Sequence, residues 1–225
     1  VLVAAYSATV VLWRDPATDL YARWKQQELS QELDEAFAEQ EPIVASSSLD
    51  DESEGGKLTI AERVQVEKLA VARAANQLHA KLKLGKALGR LTVPRMGLKT
   101  TFVQGTRWGP DLSQGPGHYP QTSLPGVGRT MAIAGHRTTF GAPFRHIDSL
   151  RGGDPITVAL PYATFHYRVF KHKIVDNDDW SIIRDRGFDT LVLSACHPLY
   201  SAAKRWVVYA RLFQVDPAGG PPYAV

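Results

Sequence analysis

After Gly85 the chain is cut into short β-rich runs separated by Gly, Pro and Asn/Asp, and this spacing constrains the fold more than any other feature. The runs fall at 88–94, 99–104, 129–134, 154–160, 164–175, 190–194 and 206–215. Strands at this density, with no long helices between them, build a closed or nearly closed barrel and not a doubly wound sheet. Short helical turns fit at 142–150 and 180–184. The expected organisation is a mainly β domain over 86–225, preceded by a helical segment.

Upstream of Gly85 the periodicity is that of helices. Residues 17–40 are Glu/Gln-rich and carry Leu29, Leu33 and Phe37 at i, i+4 and i+8, one narrow apolar stripe. Residues 41–56 are rich in Ser, Asp, Glu and Gly without a period, which reads as a polar linker over about 41–58. Thr59 with Glu62 three residues on is a capping-box signature. Ile60, Val64, Val71, Ala75, Leu78 and Leu82 then share a face, and Gly85 is the stop. Over 14–85 this predicts a helical hairpin, or a stalk that holds the β domain away from a membrane. Residues 1–13 are almost wholly apolar and end abruptly at Arg14-Asp15-Pro16. A bilayer span needs roughly 20 apolar residues, so this run would serve as the outer end of an anchor; a buried or partner-packed helix is the alternative.

Net charge excludes one class of partner. With 26 Lys and Arg against 23 Asp and Glu the formal charge is only +3, and the basic residues are spread along the chain, so nucleic acid is not an expected partner. A single cysteine excludes a disulfide framework. No Cys/His or carboxylate cluster has metal-ligand spacing, and the run Asp50, Asp51, Glu52, Glu54 lacks the EF-hand pattern; no metal or cofactor is expected.

Three residues could carry chemistry. Cys196 stands where the strand-like Thr190-Leu191-Val192-Leu193 run gives way to His197-Pro198. His136 follows the small-residue run Met131-Ala-Ile-Ala-Gly135, where Gly135 would let the backbone bend and approach a ligand closely. Arg205 opens the next strand-like run. A thiol needs an imidazole nearby to become a useful nucleophile at neutral pH, and an arginine can hold an oxyanion. A lone cysteine is also a common small core residue, so the spacing by itself leaves both readings open.

The order strand–Gly135-His136, strand–Cys196, then Arg205 nine residues on resembles the sortase family of cysteine transpeptidases. AIAGHRTTFGAPFRHIDSLRGGDPITV (132–158) and LVLSACHPLYSAAKRWVVYARL (191–212) are similar in particular to class E sortases of actinobacteria. The likeness covers roughly 88–215. It implies an eight-stranded sortase β-barrel with short helices, and a catalytic trio of His136, Cys196 and Arg205. It further implies cleavage of a C-terminal LPxTG-like or LAxTG-like sorting signal of surface proteins at Thr–Gly, through a Cys196 thioacyl intermediate resolved by a cell-wall precursor amine. A pilin lysine as acceptor, or a non-catalytic peptide-binding barrel, are the rivals. The stretch 115–126 looks like the class E loop whose tyrosine is linked to alanine preference; that residue would be Tyr119. Thr122 in the same loop, with Ser194 and Ala195 beside the nucleophile, would complete the substrate contacts. The family pattern TLxTC is departed from at Val192 and Ala195, where threonines are usual. Such an enzyme would sit in the cell membrane by a single N-terminal span, with its catalytic domain outside the cytoplasm.

Overall fold

The computed structural model describes residues 16–43 and 58–225. Helices α1 (Pro16–Ala38) and α2 (Ile60–Lys81) precede nine strands: β1 (Ala87–Val93), β2 (Leu98–Gln104), β3 (Gly117–His118), β4 (Thr130–Gly135), β5 (Pro155–Leu160), β6 (Ala163–Asp176), β7 (Thr190–His197), β8 (Lys204–Pro217) and β9 (Tyr223–Ala224). The sheet runs β6-β5-β1-β2-β3-β4-β7-β8, and pairing of β6 with β8 closes it into the expected eight-stranded barrel. Two-residue β9 adds to Gln214 and Val215 of β8, beyond the end of β7. The barrel is mixed, because β2 with β3 and β4 with β7 pair in parallel. Short 3-10 turns form at Ile147–Ser149 and Trp180–Ile183, inside the windows expected for helical turns. Strand β3 was not legible: two residues opening on glycine carry no period.

Alternation sorts the side chains of the central strands between two cores. Met131 and Ile133 of β4, Leu191, Leu193 and Ala195 of β7, and Val208, Ala210 and Leu212 of β8 pack together with Phe102, Phe165 and Tyr167. Their opposite faces, Ala132, Val192, Val207 and Tyr209, form a second cluster covered by Ile182 from the β6–β7 segment. Burial on both faces is why β7 reads as a continuous apolar run. Each buried Leu or Phe contributes roughly 1.5–3 kcal/mol relative to exposure.

The helices lie against the barrel and do not stand off it as a stalk would. Leu29 and Leu33 of the α1 stripe are buried. Strand β3 covers only Val103 and Gln104 of β2, which leaves earlier β2 backbone open on that side. Gln26 of α1 fills the gap. Its Oε1 accepts from Thr101 N–H (2.9 Å) and Thr100 Oγ1 (2.7 Å), and its Nε2 donates to the Thr101 and Gln114 carbonyls (2.9 and 2.8 Å). One side chain thereby does the work of a neighbouring strand residue. Helix α2 carries the predicted capping box and gives Val71 and Ala75 to the core, with Val71 seated against Gly126. Ile60, assigned from the sequence to the apolar face, is exposed. Ile43 bonds Ala218 O through its N–H (3.0 Å), so the start of the polar linker leads to the β8–β9 turn. No helix among the described residues is long and apolar enough to cross a membrane, and residues 1–13 lie outside them.

Candidate active site

Strand direction places the three chemical residues at one rim. Strands β4 and β7 are parallel and in register from Thr130↔Thr190 to Gly135↔Ala195, so His136 and Cys196 follow the last paired residues side by side. Strand β8 is antiparallel to β7 and begins at that rim, where Arg205 is the cross-strand partner of Cys196. Arg205 Nη1 lies 3.6 Å from Cys196 Sγ and is steadied by the Ala202 and Lys204 carbonyls (3.0 and 3.2 Å).

A cleft of about 330 Å³ opens over these residues. Ala134, Ser194, Cys196 and Arg205, from the outer faces of β4, β7 and β8, make its floor, and the smallness of the first two gives it depth. Trp108, Leu112, Asn177, Asp179, Trp180 and Ile182 line the rest of it. Tyr119 reaches in from beyond β3 and its hydroxyl meets Ser194 Oγ at 2.9 Å. Burial raises the Tyr119 phenol above its usual value, so it stays a neutral hydrogen-bonding group.

The expected substrate contacts differ in their placement. Thr122 does not line this cleft: its hydroxyl is 3.0 Å from His118 Nε2 and 2.9 Å from Tyr119 O, and it accepts from Ala132 N–H, fixing the loop that carries Tyr119. Ala195 borders the cleft, but its side chain belongs with Leu191 and Leu193 in the barrel interior. Val192 sits under Ile182 in the outer cluster. The missing threonine hydroxyl at 195 is therefore absent from the core side of β7, not from the face bearing Cys196.

His136 is nearly buried, and burial alone pushes its imidazole below the ordinary 6.5, which favours a neutral ring. Phe140 lies 5.3 Å from it, centroid to centroid, and Trp108 meets it edge-on at 6.3 Å. Its Nε2 is buried and has no hydrogen-bond partner among the described residues. Gly135 lines the cleft and also serves packing: a Cβ there would meet the Phe144 ring at 2.6–3.0 Å.

Nothing in the sequence distinguishes Arg137 within the turn-like stretch after His136. Its guanidinium is buried, bonds Asp148 (2.7 Å) and the Arg145 carbonyl (3.3 and 3.2 Å), and reaches Cys196 O at 3.4 Å. It thus ties the loop after His136 to the end of β7. Trp108 and Trp180 were missed as well; both are largely exposed (71 % and 64 %) at the cleft mouth, and exposed tryptophans among polar neighbours were the signal available. His197 does not line the cleft and packs on Trp206, 5.4 Å between rings. A larger surface groove of about 740 Å³ between α1 and β1–β2 contains no cysteine or histidine.

This geometry offers a thiol, a neutral imidazole in a mostly apolar shell, and a fixed cation touching the sulfur: the parts needed to form and break a thioester. A sequence model of the sortase domain matches residues 91–213. Sortase D of Bacillus subtilis (strain 168) is 34% identical over 143 residues, 62% of this chain and 70% of that protein. Sortase SrtE1 of Streptomyces coelicolor is 26% identical over 157 residues, spanning 45% of its own length. Among solved structures, the SrtF sortase from Corynebacterium diphtheriae superposes with a TM-score of 0.57 at 28% identity, over 60% of this chain and 89% of that one. Sortase E from Streptomyces avermitilis gives 0.53 at 28%, over 62% and 97%. With the matched domain spanning more than half of its length and enclosing both His136 and Cys196, this chain belongs to the sortase family of transpeptidases.

Proposed function

We propose that the protein is a class E-type sortase that cleaves an LAxTG-like or LPxTG-like sorting signal at Thr–Gly and passes the new carboxyl end to an amine. The observation that carries this reading is the convergence of Cys196, Arg205 and His136 on one cleft that also receives Tyr119. In the forward step, neutral His136 takes the Cys196 proton as Sγ adds to the threonine carbonyl, and Arg205 faces the oxyanion. His136 then returns the proton to the glycine nitrogen as the C–N bond breaks, leaving a thioester on Cys196. An incoming amine adds to that thioester, gives its proton to His136, and expels the sulfur, which recovers the proton. The class E assignment is supported by Tyr119 standing in the cleft beside Ser194.

The test is incubation with LAxTG and LPxTG peptides and an amine, alongside Cys196→Ala. Cysteine-dependent release of the glycine fragment, with an alanine-to-proline preference altered by Tyr119→Phe, is expected. Equal, cysteine-independent behaviour of both proteins removes the reading and leaves the peptide-binding barrel.

A second reading is an enzyme of another sortase class, since a relative 34% identical to this chain is a sortase D; the acceptor amine then stands open between two candidates. Competition between a peptidoglycan-stem amine and a pilin lysine for the thioacyl enzyme distinguishes the acceptors. We also propose that residues 1–13 are the outer end of a membrane anchor, motivated by their apolar run; membrane association that survives replacing them with polar residues would refute it.

A further inference from the structure

Helix α1 reaches the His136 loop by its first turn, 122 residues away in sequence. Thr18 Oγ1 accepts from Phe140 N–H at 3.1 Å, and Asp19 Oδ1 accepts from Gly141 N–H at 3.0 Å. Tyr21 meets the Phe140 ring edge-on at 6.4 Å, and buried Ala22 lies against Gly141. The loop they hold is unusual: Phe140, Gly141 and Ala142 all have left-handed backbone, at φ 51, 74 and 43. For Phe and Ala that conformation is sterically costly and persists only where surrounding contacts enforce it. The rest of α1 is fixed on the barrel by Gln26 and by the Arg90–Asp34 pair at 2.9 Å. The helix is therefore a rigid support, and its first turn delivers two acceptors to two consecutive amides of the left-handed turn.

Phe140 is the ring packed closest to His136, so where the loop goes the imidazole's apolar wall goes with it. We propose that α1 is a positioning element of the active site, and that Thr18 and Asp19 are positioning residues which hold the Phe140 ring against His136. This rests on the reading of His136 as the acid–base residue; the contacts themselves do not. Without the two acceptors the left-handed turn relaxes, Phe140 withdraws, and His136 gains water and loses its fixed orientation. The β-barrel then keeps its thiol and arginine in place but presents the imidazole loosely.

The test uses the 225-residue chain with isotope-labelled histidine, following the His136 ring by NMR across pH, together with steady-state peptide cleavage. Charged or titratable groups around the cleft are Tyr119, Asp179, Cys196 and Arg205, with Asp19 contributed by α1 and Arg137 next in the loop. Thr18→Val/Asp19→Ala removes both acceptors. Thr18→Ser/Asp19→Asn keeps both oxygens and removes the carboxylate charge, which separates field from positioning. The expected result is a His136 midpoint that rises toward 6.5 and a kcat lowered about ten- to hundredfold at nearly constant KM in the first variant, with both restored in the second. A midpoint and ring environment unchanged in Thr18→Val/Asp19→Ala overturns the proposal, as does failure of Thr18→Ser/Asp19→Asn to restore them in a chain that melts at the wild-type temperature. If the wild-type chain cleaves no peptide, the proposed function fails, and the ring titration still decides the positioning role.

Discussion

Cys196 and Arg205 face each other across the β7–β8 ladder, with Sγ 3.6 Å from Nη1. The arginine's place is set by backbone pairing, so replacing its side chain leaves the strand intact. Arg205→Ala is expected to lower kcat by on the order of 10²–10³, the usual cost of losing a preorganised oxyanion donor. Arg205→Lys should recover little, because a point charge on a flexible stem does not reproduce a planar fork. Steady-state kinetics on a signal peptide check this, and an Arg205→Ala enzyme within threefold of wild type would remove the arginine from the chemistry.

Gly135→Ala is expected to harm the protein through Phe144. The new methyl would press on a fully buried ring, and overpacking of this kind costs about 1–3 kcal/mol. Phe144 N–H donates to His136 O at 2.9 Å, so displacement of the ring is felt at the loop that begins with His136. Urea unfolding should show the loss and Gly135→Ala/Phe144→Leu should regain part of it; a single variant as stable as wild type would contradict the packing argument.

Acid stability should depend on His118. Burial pushes its imidazole down to about 4 from 6.5, within a pocket formed by Gln104 and Thr122. Between those values the unfolded chain binds the proton and the folded chain does not, so stability rises with pH across that window and is lost as pH falls through it. The integrated effect is on the order of 3 kcal/mol. His136, also held below its ordinary value by burial, adds in the same direction. Denaturant midpoints measured from pH 4 to 7 should fall on acidification, and less steeply in His118→Gln; equal slopes would show that other groups govern acid unfolding.

Much of this architecture could be read from residues alone, and the limits were physical. Thr59 and Glu62 announced the start of α2 because a capping box is local chemistry, and both of its reciprocal bonds form. The barrel was legible because strand density leaves few alternatives. Gln26 was not, since nothing in a polar helix marks one glutamine as the partner of a strand edge 75 residues away. For the site, the trio emerged from order along the chain and from a family likeness, whereas Arg137 and Thr122 depend on which way a loop turns. Ala195 is legible only in part: it borders the cleft beside Cys196, while alternation turns its side chain into the core.

Closure of the barrel by β6 and β8, together with the covering of β2 by Gln26, limits how a polypeptide can be read. In the proposed reaction an extended chain in the cleft would lie on the outer faces of β4, β7 and β8, which are bonded to one another as strands. Discrimination would then rest on side chains around the opening, Tyr119, Trp108 and Trp180 among them. Exchanging those three should redirect selectivity while the architecture beneath them stays the same.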